Sequence, residues 1–126
     1  MTKSDVLLSN VIQHYHKREF SEAVNGCKAV LPRMNDDNST LLSVDLGHLL
    51  CLSGNYVESV QVLSGLVDRL ESQDYPCSVL ANAYLSYAIS LLNLDEFGKY
   101  CFYIAKYMSL IKESNPKEYD YLMQEA

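Results

Sequence analysis

The chain has 126 residues, 48% of them hydrophobic, with only 5 Gly and 3 Pro, which suits one packed domain that buries roughly two thirds of its unfolded surface. A net charge of −6 speaks against nucleic acid, which requires a basic stripe, and against an anionic membrane surface. The start, Met1 to Asn10, lacks the basic head and apolar core of a signal peptide, and the most apolar region, Leu41 to Leu52, is broken by Asp45 and His48 and too short to cross a bilayer.

Apolar residues recur at helical spacing almost throughout, and no stretch alternates as a half-buried strand does. The pattern predicts a helix from about Ser4 to His16, with Thr2 as its cap, and a second from Glu19 to the polar run Met34–Thr40. Ser39 or Thr40 is expected to cap a third, which Gly54 ends, and a fourth spans Tyr56 to Ser72. Asp74 or Tyr75 precedes Pro76 at the start of a fifth, reaching Asn93, and a sixth runs from Glu96 to Glu113. Asn115-Pro-Lys-Glu118 has the cap, proline and glutamate of a helix start, opening a short seventh helix.

Cys27, Cys51, Cys77 and Cys101 lie 24, 26 and 24 residues apart, and no pair has zinc-knuckle or redox spacing. Each falls in a helical pattern, which predicts four buried free thiols in a cytosolic protein.

Three stretches align at their turns: Lys17-Arg-Glu-Phe-Ser-Glu-Ala-Val24, Ser53-Gly-Asn-Tyr-Val-Glu-Ser-Val60 and Leu94-Asp-Glu-Phe-Gly-Lys-Tyr-Cys101. Their entering aromatics, Phe20, Tyr56 and Phe97, recur at periods of 36 and 41. In the middle unit Gly47 and Ser59 are the small residues at which two helices of a hairpin can approach closely. This layout resembles the tetratricopeptide repeat over roughly residues 4 to 112, with the excess length in loops. The first unit departs at Val11; the third keeps Ala88 but has Tyr100 where a small residue is usual. The resemblance implies an all-α right-handed superhelix of three hairpins, about 4–33, 39–72 and 77–113. A solvating helix, about 116–125, would cap the array.

Catalytic chemistry is hard to place. His14 and His16, two apart, point to different faces of a helix and cannot chelate one ion. Asp45, His48 and Cys51 share one stripe, yet on a single straight helix with no glycine-rich loop or oxyanion hole beside them. The expectation is therefore a non-enzyme with no metal and no cofactor.

In tetratricopeptide arrays the first helices of successive hairpins line the concave face. By that resemblance Leu8, Ile12 and Tyr15, then Leu41, Val44, His48 and Cys51, then Leu85, Ile89 and Leu92 line a partner-binding groove. Asp5, Ser9, His16, Asp45, Asn82, Ser86 and Asn93 form its polar fringe, and none is Lys or Arg. The cationic clamp by which some family members grip a terminal carboxylate is missing. An apolar groove suits an amphipathic helix or an aliphatic segment of a protein partner. Tyr84 and Tyr103, among the tyrosines crowded into the third hairpin, are candidates for a second interface. Size, acidity and three irregular repeats are similar to type III secretion chaperones, which implies a cytoplasmic shelter for an exported subunit. The alternative is a structural subunit of a larger assembly, or a protein that forms homodimers.

Overall fold

In a computed structural model of the chain, residue 17 and residues 19–125 are described. The expected helix Ser4–His16, and with it Leu8, Ile12 and Tyr15, lies outside the described residues. Within them every regular element is helical.

Helix α1 (Phe20–Val30) buries Ala23, Val24, Cys27 and Val30, the spacing of one helical face. Pro32 converts its end to a short 3-10 turn, Leu31–Arg33. The next helix, α2 (Asp36–Leu52), starts earlier than expected. Its cap is Asn35, not Ser39 or Thr40: Asn35 has extended backbone, and its side-chain oxygen accepts from the Asn38 N–H at 3.1 Å. The polar run expected as loop thus supplies the first turn of α2, and Thr40 is buried. Leu42, Leu46, Leu49 and Leu50 of α2 form one core cluster with α1.

Helix α3 (Tyr56–Ser72) folds back on α2 through a tight turn. The Gly54 N–H bonds to the Cys51 carbonyl and the Asn55 N–H to that of Leu50, with Gly54 at φ 84°. This pair of bonds closes a helix end when one residue takes the left-handed conformation. The close approach expected at Gly47 and Ser59 is present: the Ser59 hydroxyl donates to the Gly47 carbonyl at 2.8 Å. A Cβ on Gly47 would sit 2.5 Å from the Leu63 side chain, so only hydrogen fits there. Ser90 of the following helix donates in turn to Ser59 at 3.0 Å, tying three helices through small side chains.

That following helix is α4 (Cys77–Asn93), capped by Pro76 itself, and it packs on both α2 and α3. It pairs with α5 (Phe97–Ser114), and α6 (Pro116–Glu125) folds onto α5. Asn115 caps α6 as expected: its side chain accepts from the Glu118 N–H at 3.3 Å and donates to the Glu118 carboxylate at 3.1 Å. A second, larger core joins Val44, Leu63, Val67, Leu70, Ala83, Leu91 and Ile111 with the rings of Tyr84, Tyr87 and Tyr107.

Two of the four thiols depart from expectation. Cys27 and Cys51 are buried, but Cys77 and Cys101 are exposed. Cys77 opens α4 directly after the chain turns at Pro76, and it and Ser78 point to solvent while Val79 and Leu80 pack on the core. Cys101 lies on the solvent side of α5 while Tyr107 and Ile111 face the core.

Candidate functional site: the face between α2 and α4

Leu41, Asp45 and His48 follow one another on α2 at helical spacing, and Val79, Asn82, Ser86 and Ile89 do so on α4. Where the two stripes meet, a cleft of about 340 Å³ opens, lined by Leu41, Val44, Asp45, Ser78, Val79 and Asn82. No lining residue is basic. Ser78 and Val79 were missed by the sequence reading. Counting back three and four residues along the helix from Asn82 would have found them.

Asn82 of the cleft wall also belongs to a polar bridge between the two helices. His48 Nδ1 lies 3.0 Å from the Ser86 hydroxyl, and Ser86 donates to Asn82 Oδ1 at 3.3 Å. With the serine proton used on Asn82, the imidazole is left to donate from Nδ1. Partial burial lowers the His48 pKa, which favours this neutral ring. Asp45 does not join the bridge. It lines the cleft, and lost hydration pushes its carboxyl above the ordinary value.

Among the expected groove residues, Leu41, Ile89 and Leu92 reach solvent, at 38%, 36% and 38% exposure. Leu85 and His48 are half-buried. Val44 and Cys51 are both buried: Cys51 is not groove surface, and Val44 gives the cleft only its floor while joining the larger core. The reason is the central place of α2, packed against α1, α3 and α4 at once, which leaves it only a narrow outer stripe. Burial pushes the Cys51 thiol upwards, with a hydrogen bond from Ser90 working the other way. A buried thiol of raised pKa is the reverse of an activated nucleophile. Among the described residues no three or more His, Cys, Asp or Glu side chains gather as a metal site.

Tyr84, expected at a second interface, is buried instead. Its hydroxyl donates to the Glu71 carboxylate of α3, which also accepts from Lys106 of α5 at 2.7 Å. Tyr103 is half-buried, its ring 4.7 Å from Tyr87 and edge-on to Phe102 at 5.1 Å. The ring that does reach solvent beside this cluster is Phe102, 55% exposed, with the Lys106 ammonium 4.7 Å above it. Phe102, Tyr84 and Lys106 line a second, wider cleft of about 470 Å³ between α4 and α5.

No protein-family model matches the chain, and no curated protein or solved structure matches it either. No helix among the described residues is long and apolar enough to cross a membrane.

Proposed function

We propose that the chain is a protein-binding module of tetratricopeptide type. Its stacked helix pairs would hold an amphipathic helix or an aliphatic segment of a partner along the α2–α4 face. The observation that carries this reading is a set of three large apolar side chains on α2 and α4, Leu41, Ile89 and Leu92, each more than a third exposed, on helices whose shared cleft has no Lys or Arg in its lining. Apolar side chains grouped on one face around a concavity are what a docked helix covers. The repeat assignment draws support from two helix ends closed by the same pair of backbone bonds, at Gly54 and Asp95, 41 residues apart. The narrower reading, a chaperone sheltering an exported subunit of a type III secretion system, rests on size, acidity and the character of this face.

The test uses Leu41→Asp and Ile89→Asp, chosen because both residues are exposed and their replacement leaves the core intact. The expected result is loss of a co-purifying partner from the native host, with helical circular dichroism and melting unchanged. Retention of the partner in both variants, and its loss on Phe102→Asp, would move the binding site to the α4–α5 cleft.

A further inference from the structure

We propose that the segment held on the α2–α4 face is a helix with an apolar stripe and, beside that stripe, a Lys or Arg that pairs with Asp45; this rests on the groove reading above. Of the residues lining the cleft, Leu41, Val44 and Val79 are apolar and Ser78 and Asn82 are neutral, so Asp45 is the single ionisable group. The Asp45 carboxylate makes no hydrogen bond and no ion pair among the described residues. The hydrogen-bonded bridge that crosses from α2 to α4 uses His48, Ser86 and Asn82 and passes it by.

An apolar segment laid across the cleft would strip water from this carboxylate. Without a cation in return, the charge would be left desolvated and unpaired, which opposes binding strongly. Asp45 is exposed at the cleft and so within reach of a partner's cation, and partial loss of hydration already raises its pKa in the free chain. The net charge of −6 adds a long-range field that draws a basic segment and repels an acidic one. A neutral or acidic helix would satisfy Leu41, Ile89 and Leu92 equally well but leave Asp45 worse off than in water. The charge beside the stripe is therefore where this face discriminates between partners.

The experiment is a selection on the purified full chain from a phage-displayed library of randomised helical peptides of about 18 residues, the length of five turns. Wild type is expected to enrich apolar residues at i, i+3, i+4 and i+7 with Lys or Arg at one fixed flanking position. Asp45→Lys is expected to exchange that residue for Asp or Glu. A synthetic copy of the winning peptide should lose about tenfold in affinity on Asp45→Asn, by fluorescence anisotropy, and the loss should shrink at high salt. Binders that need Leu41 and Ile89 but show the same charge pattern on wild type and Asp45→Lys would overturn the cation and leave the groove reading standing. Binders indifferent to Leu41→Asp and Ile89→Asp, or an absence of binders, would overturn both.

Discussion

The hairpins α2–α3 and α4–α5 solve one packing problem in opposite ways. In the first, a side chain is removed: Gly47 presents bare backbone, Leu63 fills the space, and Ser59 bonds directly to the exposed carbonyl. In the second, the small position is a fully buried Ala88, and Tyr100 packs where Ser59 has its counterpart. There the helices are joined by rings, with Tyr103 set against both Tyr87 and Tyr84 at 4.7 and 6.2 Å. A backbone contact admits one close geometry, whereas tilted rings fill the space between helices that carry bulky side chains. The consequence shows at the surface. The ring-packed hairpin leaves a cleft of about 470 Å³ between α4 and α5, lined by Tyr84 and Phe102.

The sharpest way to break this contrast is to add one methyl group at the small position of the first hairpin and remove one from that of the second. Gly47→Ala places carbon within 2.5 Å of Leu63, which is fully buried and has nowhere to go. Overpacking outweighs the gain in helix propensity, and stability should fall by about 2 kcal/mol in urea denaturation. Gly65→Ala, on the open side of α3, is the matched control and should gain about 0.5–1 kcal/mol. Ala88→Gly should lose about 1 kcal/mol, mostly through helix propensity, since the rings around it already set the spacing. Equal stability of Gly47→Ala and Gly65→Ala would show that the close approach is not what specifies the first hairpin.

Acid separates the two hairpins by a different property. The tie at Ser59, Gly47 and Ser90 carries no charge, but the tie at Tyr84 runs through a carboxylate. The Lys106 hydrogen bond, and then that of Tyr84, hold Glu71 below its ordinary pKa. A depressed folded-state value means that this stability is present above the ordinary glutamate range and is lost as pH falls through the folded value. Solvent reaches the Lys106–Glu71 pair, at 35% and 30% side-chain exposure, so the loss stays within about 1 kcal/mol. Glu71→Gln should remove that acid-dependent component from melting curves between pH 7 and 3, flattening only this contribution. An unchanged acid limb would assign it to other carboxylates.

How much of this was visible beforehand varied with range. Gly47, Ser59, Gly54 and the Asn115 start are local signals, and their roles follow from spacing and backbone needs alone. The cap of α2 was misplaced because Asn35, Asp36, Asp37, Asn38, Ser39 and Thr40 can all serve as caps, and helix length decides among them. Register identified Cys77 and Cys101 as helical, but not which side of α4 and α5 the neighbouring helices leave open. Cys51 was assigned to a surface that α4 covers, and Val44 reaches the cleft only as its floor. Tyr84 was placed outward because its partner, Glu71, lies on another helix. Leu41, Ile89 and Leu92 are exposed, while Asp45 became informative only when its lack of a partner could be seen.

The smallest effect concerns the turns, where the two hairpins agree in geometry and differ in residue. Gly54 and Asp95 occupy matching positions at φ 84° and 63°, and the same pair of backbone bonds closes both helix ends. A Cβ at Gly54 would meet nothing within 4 Å, so conformation alone decides what may stand there. Aspartate is among the few residues that enter this region readily, because its short side chain bonds locally. Gly54→Asp should therefore cost only about 0.5 kcal/mol. Asp95→Gly should change stability by less than about 0.5 kcal/mol, since relief of the left-handed strain is offset by a more flexible unfolded chain. Gly54→Val adds a branched side chain that this conformation disfavours and should cost about 1–2 kcal/mol, which sets the scale for the other two. A loss on Gly54→Asp as large as that of Gly54→Val would mean that the first turn, unlike the second, depends on glycine for more than its sign of φ.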